Sequence, residues 1–383
     1  MTLAALLLLA MNLRLIYPSL AVLLPDIGAA LGLSPAAQGY VTTLPVLCMG
    51  LFAPLAPLLA RRFGVERTVV GLLVLLALGT GLRGAFGVPG LFFGTALAGA
   101  AIAVANVLLP ALVKRDFGGH VPLVTSLYSM MMNVGAAIAA AATVPLAYVV
   151  TGHWTAALAL WAIPALLVAG VWGARVRHHA APAPAPRQTT GGPRLWRDPL
   201  AWQVTILMGS QSGLAYCAAG WIAPILRHRG MEAVLAGGVM SVNMMLVVVG
   251  SLLAPLLVRQ LRDQRRLNVA LSLLSGVPLL GFLFAPLSTA WWWAAVQGIG
   301  SGAVFTTALT VIVLRSRDTA VAARLSSMAQ TVGYVIAAMG PLCVGLLLDW
   351  TGGIAAAGGV FVALTLSAAL AGWGAGRARY VNA

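Results

Sequence analysis

Charged residues, and acidic ones above all, are scarce in this chain of 383 residues. Only 8% of the residues are charged, Asp and Glu number 8 against 23 Lys and Arg, and 61% of the residues are hydrophobic. A water-soluble domain with so few charges would have too little polar surface to remain in solution. The composition therefore indicates an integral membrane protein.

Cysteine and histidine are also few, with three and five residues. Cys48, Cys217 and Cys343 each lie in an apolar stretch without C-x-x-C spacing, so no disulfide framework is expected. The histidines form no metal-ligand cluster, and the sequence contains no nucleophile motif and no paired carboxylates. We therefore expect no metal, no cofactor and no enzymatic activity.

The formal net charge is +15, yet the basic residues stand in short clusters between long apolar segments. This distribution is typical of membrane topology and argues against a nucleic-acid partner. Apolar windows long enough to cross a bilayer predict an all-α membrane protein with twelve spans. The predicted spans are 3–24, 36–60, 68–86, 90–113, 122–149, 154–175, 200–226, 233–258, 267–286, 289–314, 322–348 and 354–375.

A stretch rich in Pro, Ala and Arg, RVRHHAAPAPAPRQTTGGPRLWRDP at 175–199, separates the two groups of six spans. It has no apolar periodicity, which predicts an extended or mobile linker. The expected domains are an N-terminal six-helix bundle (1–175), a cytoplasmic linker (176–199) and a C-terminal six-helix bundle (200–383).

The basic residues also predict the orientation. With a cytoplasmic N-terminus, nineteen of them fall on the cytoplasmic side, and only Arg83, Arg227 and Arg229 fall on the outside. This strong bias predicts a multi-pass protein with both termini in the cytoplasm.

The two halves resemble each other at an offset of about 200 residues. The fourth span ends in LVKRDF (112–117) and the tenth in VLRSRD (313–318), and NVG (133–135) and TVG (331–333) follow in the next spans. Two related six-span halves are the plan of a secondary transporter with a central site.

These features resemble the major facilitator superfamily over the whole chain, and within it the cyanate and 2-nitroimidazole porter group (the CynX/NimT family). The resemblance to this group is carried by MNLR (11–14), LPALVKRDF (109–117) and ALTVIVLRSRDTAVAARLSSMAQTVGYVIAAMGPLCVGLLLDWTG (308–352). It implies a transporter of the bacterial inner membrane that works by alternating access. The chain departs from the superfamily in LLARRFGVERT (58–68), where Arg61 stands at the position of an expected Asp and Glu66 is the nearest substitute.

Arg14 is the candidate centre of recognition, because it falls near the middle of the first predicted span. A charged side chain there costs about 2.5 to 3.5 kcal/mol on insertion scales, so it should face a water-filled cavity. All eight carboxylates are predicted at span ends or in loops, which leaves Arg14 without an acidic partner. Its planar fork of donors suits a small planar anion or a nitro group. A gating or packing role is the alternative.

Neutral polar and aromatic side chains complete the predicted site. Asn12, near Arg14 in sequence, either binds substrate or bonds a neighbouring helix. In the eleventh span, Ser327, Gln330 and Tyr334 form a polar stripe with helical spacing. The full set of predicted substrate-binding residues is Asn12, Arg14, Tyr17, Asn106, Tyr128, Gln211, Gln330 and Tyr334.

The partners expected are a small-molecule substrate and the lipid bilayer, with the protein acting as a monomer. A broad-specificity drug exporter is the alternative function, supported by Tyr216, Trp221 and the methionines at 130–132. A membrane sensor is less favoured because it would need a signalling domain. Since no Asp, Glu or His is predicted within the membrane, transport without a dedicated proton carrier is expected.

Overall fold

A computed structural model of the chain describes residues 3–117, 121–176, 195–259, 261, 263–317 and 319–381. All regular secondary structure within these residues is helical, which confirms the predicted class. The α-helices are α1 (Leu3–Asn12), α2 (Ile16–Leu31), α3 (Pro35–Phe52), α4 (Leu55–Phe63), α5 (Val65–Leu82), α6 (Gly87–Asp116), α7 (Val121–Pro145), α8 (Trp154–Leu160), α9 (Ala162–Val176), α10 (Pro199–His228), α11 (Ala233–Arg259), α12 (Arg265–Phe284), α13 (Ala290–Leu314), α14 (Thr319–Thr351) and α15 (Ala357–Ala375).

Ten helical stretches of the described residues are long and apolar enough to cross a membrane. The two other predicted spans correspond to α3 with α4 and to α10, which fall short of that length or mean hydropathy. The number of twelve spans therefore stays a prediction.

Three of the predicted spans are not continuous helices. Pro18 and Pro164 each occupy the third position of the helix after a break, where a missing N–H has no helical partner to lose. Their rings would clash with carbonyls four residues earlier if the preceding helix continued, so the chain leaves helical geometry before them. The interruptions lie at residues 13–15, 53–54 and 161. The predicted spans at 3–24, 36–60 and 154–175 are therefore each built from two consecutive helices.

The first span also extends beyond its predicted end. Helix α2 continues to Leu31, and Gly32, with φ 62°, closes it by donating its N–H to the Gly28 carbonyl. Asp26 therefore lies inside a helix, where its Oδ1 accepts a hydrogen bond of 2.5 Å from the Tyr148 hydroxyl. The prediction that every carboxylate lies at a span end or in a loop is corrected for Asp26.

The predicted linker is only partly within the described residues, since residues 177–194 lie outside them. Its last part is not extended: Leu195–Arg197 forms a 3-10 turn, and the Asp198 side chain caps α10 by accepting from the Leu200 N–H at 2.7 Å. A carboxylate at a helix N-terminus satisfies an otherwise unpaired amide.

The chain divides into two compact units, residues 1–33 with 44–187 and residues 34–43 with 188–383. The first unit has a large apolar core in which α1, α5, α6 and α9 meet around Leu9, Leu73 and Trp172. The second unit has a comparable core built from α10, α13, α14 and α15 around Val204, Val304 and Leu325.

The glycines of QGIGSGA (297–303) are sites of close helix contact. A Cβ on Gly302 would lie 1.9 Å from the Val247 carbonyl oxygen, and a Cβ on Gly298 would lie 2.4 Å from that of Asn243. Helices α11 and α13 thus approach at backbone distance, as small residues permit in membrane proteins.

The related motifs LVKRDF and VLRSRD place an arginine at the end of equivalent helices in the two units, α6 and α13. Arg115 pairs with Glu66 at 2.6 Å and with Asp116 at 2.7 Å, and these bonds raise the pKa of Arg115. Arg315 donates to the Gln264 side chain and to the carbonyls of Ala375 and Gly376 at 2.9 and 3.0 Å. The two units therefore repeat one contact, charged and exposed in the first and neutral and buried in the second.

This difference predicts unequal effects of removing each arginine. Arg315 is 4% exposed, so Arg315→Ala leaves three buried acceptors without a donor and is expected to destabilise the protein by about 3 kcal/mol. Arg115→Ala breaks exposed ion pairs and is expected to cost less than about 1 kcal/mol. Thermal unfolding of the purified variants in detergent measures both. Equal losses of stability would contradict the assignment.

Candidate functional site

The candidate site begins at the break between α1 and α2, which contains Arg14. Helix α1 ends in tight turns, with the Leu13 N–H on the Ala10 carbonyl (3.2 Å) and the Arg14 N–H on the Met11 carbonyl (3.4 Å). Since Pro18 cannot donate a backbone hydrogen bond, the Arg14 carbonyl is not taken up by a regular helical turn. Arg14 therefore belongs to an irregular segment inside an apolar span, a feature that transporters use at binding sites.

The surroundings of Arg14 distinguish it from its two neighbours. Leu13 and Leu15 are buried, at 2% and 3% exposure, whereas Arg14 is partly exposed. Within the part of the chain that the structure describes, its side chain has no hydrogen bond and no ion pair. The donors of the guanidinium are thus not taken up by other described groups of the protein.

Helix α7 supports this break through the glycine of the NVG motif. A Cβ on Gly135 would lie 2.4 Å from the Met11 carbonyl oxygen, and Ala139, four residues later, packs with Leu15. The later residue of the first span contacts the later residue of α7, so the two segments run parallel. Arg14 lies at the level of residue 138 of α7.

This register separates two of the predicted site residues. Tyr128 stands ten residues before the level of Arg14, which is about 15 Å along the helix axis. The two residues therefore stand at different depths along the helix axis. Tyr128, partly buried against the core of the first unit, lies at a different depth along α7.

The other candidates of the first unit differ in accessibility. Asn12 is 1% exposed, and its Nδ2 donates to the Leu8 carbonyl of its own helix at 2.8 Å. The alternative prediction, that Asn12 bonds a neighbouring helix, is therefore wrong. Tyr17 is partly buried and donates its hydroxyl to the Met49 sulfur at 3.4 Å. Asn106 on α6 is partly exposed.

In the second unit, α10 and α14 carry the remaining candidates. Gln211 is fully buried, and its Nε2 donates to the Met208 carbonyl (3.1 Å) and to the Ser212 hydroxyl (2.8 Å). Gln330 is exposed, with its Nε2 on the Ser326 hydroxyl at 2.9 Å. Only Gln330 of these two amides is open to a ligand.

Tyr334 contacts Tyr216, with ring centroids 6.5 Å apart and planes inclined by 59°. Tyr334 lies one helical turn after Gln330 on α14, so the predicted polar stripe is continued by an aromatic pair. Tyr216 was not among the predicted binding residues, although its position in an apolar span made it a candidate for an adaptable cavity.

The same glycine contact occurs in both units and aligns their residues. Met11 meets Gly135 in the first unit, and Gly209 meets Gly333 in the second, with both partners shifted by 198 positions. This shift places Ser212 at the position that corresponds to Arg14. The position of the second unit that corresponds to Arg14 therefore carries no charge.

The sequence did not indicate that a second arginine of the first unit, Arg83, is buried. Arg83, which the sequence places on the outer side, is 0% exposed and donates to the Ile16 carbonyl from Nη1 (3.2 Å) and Nη2 (3.3 Å). Its place near the end of the predicted span 68–86 indicates the side of the membrane but not the direction of its side chain.

Comparison with known proteins decides the family. The model of the Major Facilitator Superfamily matches residues 2–341. The chain belongs to the major facilitator superfamily. This membership confirms the resemblance found in the sequence, and the relatives below support its cyanate and nitroimidazole porter group.

Two relatives from Escherichia coli (strain K12) match most of this superfamily chain. It is 39% identical over 351 residues to the 2-nitroimidazole transporter, covering 91% of this chain and 88% of that one. It is 28% identical to the cyanate transport protein CynX, covering 91% of this chain and 90% of that one.

A solved structure has a similar fold. A bacterial homologue of the human lysosomal transporter Spinster aligns with a TM-score of 0.75 at 18% identity, over 97% of this chain and 95% of that one. At this identity the likeness concerns the fold alone.

Proposed function

We propose that this superfamily member is a secondary transporter of the bacterial inner membrane that moves a small planar anion or a polar nitroheteroaromatic compound. Alternating access would move two bundles, residues 1–175 and 200–383, joined by residues 176–199. The observation that carries the proposal is Arg14, which is partly exposed in a broken span and has no side-chain polar partner among the residues that the structure describes.

The chemistry of Arg14 suits this class of substrate. A guanidinium offers parallel N–H donors in one plane, which match the two oxygens of a nitro group or the ends of a conjugated O/N anion. Relatives named for 2-nitroimidazole and for cyanate cover about nine-tenths of the chain, which supports both kinds of substrate.

The other site residues fall into two proposed roles. The accessible ones, which include Tyr17, Asn106, Gln330 and Tyr334, are proposed to contact the substrate, and Tyr128 to contact it at another depth. Asn12 and Gln211 are buried, and we propose that they serve the site by fixing α1 and α10. Each bonds a carbonyl of its own helix.

The alternative of a broad-specificity drug exporter loses one of its supports. Trp221 is 3% exposed and donates its indole N–H to the Pro341 carbonyl at 3.2 Å, so it packs the second unit rather than lining an open surface. On α7, the exposed Met130 still supports the drug-exporter alternative.

We propose transport without a dedicated proton carrier in the membrane core. Asp26 is the acid within the first span, but it stands twelve residues from Arg14, about 18 Å along a helix, and is bonded to Tyr148. Moving an anion inward then costs about 2.3 kcal/mol per 100 mV of inside-negative potential. Import therefore needs a concentration gradient, whereas export or passage of a neutral compound does not.

Purified protein in liposomes tests the proposed function. Uptake of cyanate, other small monovalent anions and 2-nitroimidazole would be measured with and without imposed pH and voltage gradients. We expect transport of at least one of these compounds, and anion movement that follows the voltage and not the pH gradient. Equal handling of unrelated lipophilic cations, with no effect of Arg14→Ala, would establish the drug exporter instead.

A further inference from the structure

Arg83 is buried without an acidic partner. It follows α5 directly, its side chain is 0% exposed, and within the described residues it makes no ion pair. Its only side-chain hydrogen bonds there go to one backbone oxygen, that of Ile16, and its Nε is buried without a partner. Burying a guanidinium this way is unfavourable, because the charge loses its hydration without gaining an ion pair. An apolar side chain of similar volume would not pay this desolvation cost.

The partner of Arg83 identifies what the residue can do. Ile16 is the first residue of α2, directly after the irregular segment 13–15. Its carbonyl accepts from both terminal nitrogens of Arg83 and from the Ser19 hydroxyl at 3.1 Å. Arg83 thus binds the exact point at which the first span becomes helical again, two residues after Arg14.

The backbone of Arg83 is itself held firmly. A Cβ on Gly94 of α6 would lie 2.9 Å from the Arg83 nitrogen, and a Cβ on Gly84 would lie 2.4 Å from the Thr155 carbonyl oxygen. Both neighbouring backbones therefore approach without space for a side chain. The closely packed backbone of Arg83 and the two hydrogen bonds from its side chain fix Ile16 relative to α5 and α6.

We propose that Arg83 is a positioning residue that maintains the break at residues 13–15 and thereby directs the Arg14 side chain toward the ligand. This inference rests on the proposed function for the role of Arg14. It does not place Arg83 in contact with the substrate, since the side chain is buried.

Thiol labelling tests the positioning without any substrate. In a background with Cys48, Cys217 and Cys343 replaced by alanine, single variants Leu13→Cys, Arg14→Cys and Leu15→Cys are treated with a small water-soluble methanethiosulfonate. Because position 14 is partly exposed and positions 13 and 15 are buried, we expect position 14 to react at least about tenfold faster than the other two. Adding Arg83→Met should reduce this contrast to less than about threefold, and an unchanged contrast would overturn the proposal.

Two further variants control the experiment. Arg229→Met removes an arginine that also donates to two carbonyls, those of Phe282 (2.8 Å) and Ala285 (2.7 Å), in the second unit, and should leave the contrast unchanged. Arg83→Lys keeps the charge and the stem but not the fork, so a contrast of about three- to fivefold is expected even if Arg83→Met does not fold. A full contrast in Arg83→Lys would also count against the proposal.

Transport separates this inference from the proposed function. For a transported anion, Arg83→Met is expected to raise KM about tenfold with little change in kcat, and the double variant with Arg14→Gln should lose little more than Arg14→Gln alone. If labelling behaves as expected but none of the compounds is transported, the proposed function fails and the positioning stands. If transport depends on Arg14 but the labelling contrast is the same with and without Arg83→Met, the positioning role of Arg83 is wrong.

Discussion

Arg14→Gln is expected to lower kcat/KM for an anionic substrate by about 100-fold. A charge-assisted contact removed from a partly desolvated site costs about 3 kcal/mol, and each 1.4 kcal/mol is about a factor of ten. A neutral nitroheteroaromatic compound loses only hydrogen bonding, so we expect a loss of about tenfold. Initial rates of uptake into liposomes measure both ratios.

The conservative change separates the charge of Arg14 from its shape. Arg14→Lys keeps a positive charge but presents a point-like ammonium without the planar fork, so we expect a loss of about tenfold for either substrate. Arg197→Gln removes an exposed arginine outside the spans and serves as the matched control, with unchanged transport expected. Wild-type rates in both Arg14 variants would exclude this residue from recognition.

The helical architecture could be predicted from the sequence to a large extent, whereas the breaks within spans could not. Apolar length locates the helices, but it does not show where a proline ends one. Pro18 stands just after a break, while Pro45, Pro110 and Pro341 lie inside α3, α6 and α14. A helix can continue through one missing N–H when neighbouring groups satisfy the freed carbonyl.

The candidate site was predictable in its charge but not in its details. Arg14 was identified because a cation in an apolar span is costly and needs a reason. The sequence did not indicate that the Asn12 and Gln211 amides turn back to their own helices, since a polar side chain can satisfy itself locally. Arg83 was missed for the converse reason, because a long side chain at a span end can reach back into the protein.

Gly135→Ala is expected to damage the site as strongly as any change outside Arg14. The new Cβ would lie 2.4 Å from the Met11 carbonyl oxygen, the same oxygen that accepts from the Arg14 N–H. Helix α7 or the end of α1 must move, and such overpacking costs about 1 to 3 kcal/mol. We expect a lower unfolding temperature in detergent and loss of Arg14-dependent transport.

Gly333→Ala provides the internal control for this effect. Gly333 occupies the equivalent position in the second unit, but its added Cβ would lie 3.3 Å from the Gly209 nitrogen, which a small shift relieves. Both substitutions gain the same helix propensity, about 1 kcal/mol, so the difference between them isolates the contact with α1. Because Arg14 belongs to the first unit and its counterpart in the second is Ser212, Gly333→Ala should retain most of the transport. Equal behaviour of the two variants would mean that close packing of α7 on the break does not control Arg14.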